Sequence, residues 1–413
     1  MSQQPKPKTG QVSRIDTTQL KPTEIAAAIR VIIQVNRLNA ANGRKRRGLF
    51  IWGGPGLGKS ALVAQEAAAI NFKLIDIRLT QMEPTDLRGI PVPTVLNADE
   101  TVVRWAIPEV FPQRYVDPTT GQISRTANVV DKITGHKYDG AVILLDELPN
   151  APPSVQAGSY QLVLDGALGE YVCPDNVVVI AAGNRDTDKG ATYKMPTPLA
   201  NRFVHVEIKE DYEEWVAHAV SEDYHPEVVG YVSAFKAELY QFDPKSASRG
   251  FPTPRSWNTV SDILHAEPEV NDQTLLGLIG GTVGDGVGVK FIEYRKNAAR
   301  LPKASDILDG KNAEMPNKDV SLMYALTTSL CYELRDRYMH MVKDAATANA
   351  QTKAKFNEHV DNFLGYMMKN FQPEIVIMGS RTALHIFSIK FDPSKLKHWD
   401  SYTDRYQELI LGA

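Results

Sequence analysis

The chain is poor in cysteine, in long apolar runs and in net charge, and each shortage closes off a class of function. Two cysteines in 413 residues, Cys173 and Cys331, give neither a disulfide framework nor a zinc spacing, so both read as packing residues. No apolar stretch approaches the roughly 18 to 20 residues that a membrane span needs. Met1 to Thr18 is polar, without the apolar centre of a secretory signal, and a cytoplasmic protein is expected. Lys and Arg number 46 against 49 Asp and Glu, a formal charge of −3, which exerts no global pull toward nucleic acid. HExxH, clustered His and Cys, and Gly-x-Ser-x-Gly are all missing, so no zinc-protease or serine-hydrolase centre is expected. With 43% hydrophobic residues the chain can bury a core, and its length fits two or three folded domains.

What is present begins at Gly53-Gly54-Pro55-Gly56-Leu57-Gly58-Lys59-Ser60, which fits G-x-x-x-x-G-K-[ST]. The apolar run Leu49 to Trp52 precedes it and a helix-forming run from Ala61 to Glu66 follows. Strand, glycine loop and helix are the setting of a phosphate-binding P-loop. Residues Gly53 through Ala61 are therefore the candidate nucleotide cradle. In such a loop successive N–H groups curl around the phosphates, Lys59 reaches the β and γ phosphates, and the Ser60 hydroxyl can ligate Mg²⁺.

Hydrolysis needs carboxylates beside those phosphates, and Ala141-Val142-Ile143-Leu144-Leu145-Asp146-Glu147 supplies them at the end of an unbroken apolar run. Such a run reads as a parallel strand covered on both faces, and ligands sit at the carboxyl ends of such strands. Asp146 is placed to hold Mg²⁺ through water, and Glu147 to orient and polarise the attacking water. A third apolar run, Val177 to Ala182, ends in Gly183-Asn184-Arg185. Asn184 can donate to the γ-phosphate or hold the lytic water; an Asx-type turn residue is the alternative.

Taken together, these motifs resemble the AAA+ ATPases, and within them the MoxR-like group, across roughly residues 20 to 300. Ile77 to Gly89 looks like the segment after that group's second strand, Leu145 to Pro153 like its Walker B and following turn, and Ala181 to Asn184 like sensor 1. Arg185 stands where the group usually has proline. Met195-Pro196-Thr197-Pro198-Leu199-Ala200-Asn201-Arg202-Phe203 is similar to an arginine-finger segment, and Phe251 to Trp257 to sensor 2. The resemblance implies a three-layer α/β P-loop domain with strand order 5-1-4-3-2, a helical lid and a helical C-terminal extension. It also implies ATP and Mg²⁺ as ligands, Arg202 acting across a subunit boundary, Arg255 touching the γ-phosphate in cis, and assembly as a homo-oligomeric, hexameric ring. An Arg offsetting a helix dipole is the alternative for Arg202, and a structural Arg for Arg255.

The remaining chain divides as a tail over 1–19, an α/β domain over 20–208, a lid over 209–300 and a C-terminal region over 301–413. Thr23 is read as the cap of a first helix running through Val35, with Ile25, Ile29, Ile32 and Ile33 on one face. Arg44-Lys45-Arg46-Arg47 reads as a solvated turn, with a phosphate or nucleic-acid contact as the alternative. Residues 90–96 and 101–105 read as a hairpin, and Gly169 to Val172 as part of a shorter one. By resemblance the first corresponds to an insert that faces a central pore and the second precedes sensor 1, which makes Trp105 and Tyr171 candidate pore contacts; packing is the alternative. The glycine-rich run Gly280 to Gly288 lacks Gly-Lys-Ser and reads as turn or helix-end glycines. Met323, Leu326, Leu330, Leu334, Tyr338 and Met341, then Val360, Phe363, Leu364, Met367 and Phe371, form helical apolar stripes. The expected function is ATP-driven remodelling of a protein client, beside a partner carrying a von Willebrand factor A domain. A nucleic-acid motor and a slow nucleotide-dependent assembly switch are the rivals.

Overall fold

The computed structural model describes residues 18–97, 100–185, 188, 195, 200–246, 248–266, 269–311, 314–315, 319–344 and 348–411, without the side chains of 96–97 and 407–411. Two compact units result: one ends at Lys209, and the other runs from Glu210 and takes in Pro55–Gly58.

The first unit is built on a six-stranded, wholly parallel sheet: β1 (Gln19–Leu20), β2 (Gly48–Trp52), β3 (Phe72–Arg78), β4 (Gly140–Asp146), β5 (Val177–Gly183) and β6 (Phe203–Ile208), in the order β1-β6-β2-β5-β4-β3. The expected 5-1-4-3-2 order is present in the five longer strands. β1 is an addition, pairing Gln19 with Glu207 and Leu20 with Ile208 at the sheet edge. Two residues carry too little pattern to be read as a strand. Val142, Ile143, Leu144 and Leu145 of β4 are fully buried, as a strand packed on both faces must be.

Helix α1 (Pro22–Ala41) buries Ile25, Ile29, Ile32 and Ile33, but its ends differ from the expectation. Lys21 is the N-cap residue, its N–H held by the Glu24 carboxylate at 2.8 Å, and Pro22 takes the first helical position, where a missing N–H is harmless. The helix continues past Val35 because Asn36 and Ala40 are buried. The Asn36 amide both accepts from Arg47 N–H (2.7 Å) and donates to Arg47 O (2.9 Å). Arg46 corrects the picture of the basic run as a solvated turn: its guanidinium donates to the carbonyls of Val177 (2.6 Å), Cys173 (3.0 Å) and Pro174 (2.8 Å). Carbonyls at a strand entrance take that charge, whereas Arg44 and Lys45 are exposed.

The hairpin Ile90–Asn97 with Glu100–Ala106 forms as expected, its turn at 98–99 lying outside the described residues. So does Ala167–Leu168 with Tyr171–Val172. Two further hairpins go beyond the sequence expectation: Arg114–Val116 with Ile123–Ala127, and Val129–Val130 with Lys137–Tyr138. Each loop is built by an aspartate whose carboxylate accepts from the N–H groups two and three residues on, Asp117 from Thr119 and Thr120, Asp131 from Ile133 and Thr134. Gly121 and Gly135 close the loops at φ +69° and +71°. Those contacts hold the Asp131 carboxyl down at about 2, the Thr134 N–H contributing most.

The second unit is helical and has two cores. Helices Tyr212–Ser221, Pro226–Ala234, Pro254–His265, Asp272–Val283 and Asp285–Ala298 pack around Tyr231, Trp257 and Phe291. Helices Ala350–Asn370, Pro373–Arg381 and Trp399–Leu411 pack around Phe356, Phe363 and Tyr406. The helix Val320–Tyr338 serves both, giving Ala325 and Tyr332 to the first and Met323, Leu326, Leu330 and Leu334 to the second. In the glycine-rich run, Gly284 at φ +90° separates two helices, and a Cβ on Gly288 would lie 2.7 Å from Gly280 Cα. These glycines are a helix junction and a close backbone approach.

Candidate functional site

Parallel pairing brings three strand ends together. β2 lies beside β5 with Trp52 opposite Gly183, and β5 lies beside β4. The residues that follow these strands, Gly53, Asn184 and Glu147, are therefore neighbours at the carboxyl edge of the sheet, where ligands bind in open α/β folds. Gly53 donates its N–H to Gly183 O at 3.2 Å, and a Cβ there would sit 2.3 Å from Ile208 Cγ2. Only glycine leaves room for Ile208 there.

Lys59 opens helix α2 (Lys59–Ala69) and is 8% exposed. Its ammonium donates to Gly53 O (2.8 Å), Gly54 O (3.1 Å) and Asn184 Oδ1 (3.0 Å). Ser60 Oγ donates to Asp146 Oδ2 at 2.6 Å. Lys59 and Ser60, adjacent in one helix, thus link two strand-end residues that lie far away in the chain. Ala61 follows in the same helix, and Leu57 is buried. Gly56 and Gly58 have φ of +78° and +84°, a conformation that side chains resist.

Glu147 takes the left-handed conformation at φ +57°, which is rare outside glycine and carries a backbone cost. Its N–H donates to Asp146 Oδ1 (2.9 Å), and its carboxylate accepts from Thr80 Oγ1 at 2.8 Å. Asp76, on the neighbouring strand β3, has its carboxyl held above the ordinary range by burial first, then by the charges of Asp146 and Glu147, against an opposing pull from Arg78. Neither Thr80 nor Asp76 stands out in the sequence. The β3–β4 register, with Asp146 opposite Arg78, is what brings them near, and no local pattern announces it.

Arg185, the residue after Asn184, is held by its own bonds. Its backbone N–H donates to Asp188 Oδ2 at 3.0 Å, a bond the usual proline could not make. Its guanidinium reaches Asp188 (3.2 Å) and Glu207 of β6 (3.0 Å). Arg185 thus pairs with two carboxylates, Asp188 and then Glu207 in chain order.

Arg202 stands apart. It is exposed and makes no hydrogen bond or ion pair among the described residues, while the next residue, Phe203, is buried in the sheet core. Pro196–Leu199 of its segment lie outside the described residues. Arg255 belongs to the second unit, as the second residue of helix Pro254–His265. Thr253 caps that helix, accepting from Ser256 N–H at 3.0 Å, and the Arg255 N–H donates to Gly56 O at 3.3 Å. A Cβ on Gly56 would lie 2.6 Å from Thr253 Oγ1, so the loop glycine is needed for shape and for room. The Arg255 side chain is exposed.

Tyr171 is no pore contact. It is 2% exposed, stacks on Phe111 at 5.0 Å and donates to Pro112 O; burial pushes its phenol far above the ordinary range. Trp105 is half-buried, with the Arg88 guanidinium 5.9 Å from its ring centre. Cys173 and Cys331 are both buried, and burial raises both thiols. Among the described residues no helix is long and apolar enough to cross a membrane.

Residues 49–210 match the family model described as "ATPase family associated with various cellular activities (AAA)". A comparison with curated protein sequences returns no match. Among solved structures the chain is similar to a candidate ATPase from Cytophaga hutchinsonii, at 15% identity and TM-score 0.27, covering 88% of this chain and 85% of that one. It is also similar to a point mutant of RuvB from Thermotoga maritima, at 14% identity and TM-score 0.33, covering 74% of this chain and 82% of that one. The family match and the linked P-loop and strand-end residues agree: residues 49–210 form an ATPase domain of the AAA family, and the chain that carries it is an ATP-hydrolysing enzyme.

Proposed function

We propose that the chain is a Mg²⁺-dependent ATPase that works as a homo-oligomeric, hexameric ring and couples hydrolysis to remodelling of a protein client, beside a partner carrying a von Willebrand factor A domain. The observation that carries the ATPase part is the chain of contacts from Lys59 to Asn184 and from Ser60 to Asp146. Ser60 Oγ and Asp146 Oδ2 are two hard oxygen donors 2.6 Å apart, which suits an ion that keeps several waters and takes the rest of its ligands from phosphate. Mg²⁺ bound there would neutralise charge on the β and γ phosphates.

The roles proposed for the side chains follow from their chemistry. Lys59 carries a positive charge at the mouth of the glycine loop, and a phosphate oxygen would replace the carbonyls it now contacts. Glu147 accepts a proton or orients water next to that loop. Asn184, held by Lys59, fixes the reacting end through its amide N–H. Arg255 is assigned to the γ-phosphate in cis, and residues 209–300 are assigned as the lid. Arg202 is assigned to a neighbour's γ-phosphate, where an arginine stabilises transition-state charge; its exposure and its lack of a partner among the described residues support that.

The test is made by mixing subunits. Glu147→Gln alone should bind ATP and fail to release phosphate, and Arg202→Ala alone should hydrolyse weakly. Mixed together, they should recover activity at interfaces that pair an intact Glu147 with an intact Arg202. Undiminished phosphate release by Glu147→Gln would move the base elsewhere, and no recovery at any ratio would remove Arg202 from the neighbour's site. Salt-sensitive stimulation of turnover by DNA would replace the protein client with a nucleic-acid track.

A further inference from the structure

His205 lies in the middle of β6, three residues after Arg202, and both of its ring nitrogens are engaged. Nδ1 is 2.9 Å from Trp52 Nε1, and Nε2 is 2.7 Å from Ala200 O. An indole nitrogen can only donate. Nδ1 must therefore be the acceptor, the ring must be neutral, and the proton must sit on Nε2, where it is donated to the Ala200 carbonyl. The ring is further held in an aromatic cluster, its centre 6.0 Å from Trp52 at 24°, 5.9 Å from Phe50 and 6.0 Å from Phe203.

The two partners of that ring have different neighbours. Trp52 is the last residue of β2, immediately before Gly53 and the glycine loop. Ala200 is two residues before Arg202, just ahead of the Asn201–Arg202 turn that enters β6. One imidazole therefore bridges the strand that feeds the phosphate cradle and the backbone that presents the exposed arginine. A side chain projecting into solvent depends on its backbone for aim, and a misplacement of about 1 Å at a reacting group can cost on the order of a hundredfold in rate.

We propose that His205 is a positioning residue for Arg202, and that the Trp52–His205–Ala200 bridge aims the arginine that one subunit offers to the next. This rests on the reading of Arg202 as acting in a neighbour's site.

The experiment uses the full-length chain and three variants. Trp52→Phe keeps the stack and removes the N–H. His205→Gln can still reach Ala200 O through its amide N–H, and His205→Ala removes both bonds. Expected is a fall in kcat of roughly three- to tenfold for each lost hydrogen bond, with affinity for a fluorescent ATP analogue unchanged, and with His205→Gln more active than His205→Ala. His205→Ala mixed with Glu147→Gln should recover activity, because Glu147→Gln subunits bring a properly aimed Arg202 to sites whose Glu147 is intact. Arg202→Ala mixed with Glu147→Gln is the control. If the control recovers and the His205→Ala mixture does not, His205 acts in its own subunit's site and the proposal fails while the reading of Arg202 stands. If the control itself does not recover, that reading falls, and the proposal with it. Should His205→Ala fail to fold, Trp52→Phe mixed with Glu147→Gln decides by the same rule.

Discussion

Position 185 shows how much one side chain can carry. Proline at that place would fix φ and give up a donor; arginine keeps the donor and bonds it to Asp188. Arg185→Pro should therefore leave Asp188 and Glu207 without their cation. Turnover should drop about tenfold, an energy of roughly 1.4 kcal/mol, whereas Arg185→Lys, which retains N–H and charge, should lose less; equal rates in the two variants would show the ion pairs to be idle. Lys59 gives the sharper test. Its ammonium is buried among carbonyls and Asn184, so Lys59→Ala should abolish binding of ATP in a titration calorimeter. Wild-type affinity in that variant would remove the phosphate cradle from Gly53–Ser60.

Among the elements, helix Pro226–Ala234 starts on an unusual cap. His225 Nδ1 accepts from the Glu227 N–H at 3.3 Å, and burial first, then the facing His265 ring and Arg295, lower the His225 pKa to about 4; the Glu227 carboxylate lies across from it at 3.9 Å. A folded-state value below the ordinary one of about 6.5 means that the unfolded chain takes up the proton first. Stability from this group is accordingly lost as pH falls from about 6.5 toward 4, and no such loss arises above that window. His225→Asn keeps a capping acceptor and cannot titrate. Its advantage over the parent chain in urea unfolding should widen as pH drops through that range; a constant gap would mean that His225 does not titrate differently on unfolding.

The elements also differ in how far a sequence reveals them. β4 and β5 are legible because burial on both faces leaves nothing but apolar residues, and the P-loop because its glycines have no substitute. The hairpins around Asp117 and Asp131 escape notice, although both loops share an aspartate followed four residues later by glycine. Their strands are short and half-exposed, so alternation gives little signal. The apolar stripe of helix α1 stops at Val35 because what prolongs the helix, Asn36 bonding to Arg47, depends on a return of the chain eleven residues later. Thr80 reaches Glu147 only through strand pairing, a relation with no trace in local spacing.

At the scale of the whole molecule, the helix Val320–Tyr338 is the feature that binds the second unit together. Its Leu330 is fully buried in one core while Ala325 and Tyr332 face the other, and Tyr332 also donates to Tyr224 O at 2.8 Å. Leu330→Ala should cost about 3 kcal/mol. Amide-exchange protection should then fall by a similar amount in Pro226–Ala234 and in Ala350–Asn370, because a helix shared by two cores cannot loosen for one alone. Loss confined to Ala350–Asn370 would show the cores to be independent.

That shared helix also bears on how the chain could be cut or recombined. A break placed at residue 300, the expected end of the lid, would strip the first core of Ala325 and Tyr332 and expose apolar surface on both fragments. A fragment meant to stand alone must keep Val320–Tyr338, and a graft that exchanges the last hundred residues for those of another protein must bring a helix that fits two partners at once. The 210–413 segment should therefore be kept or exchanged as a block.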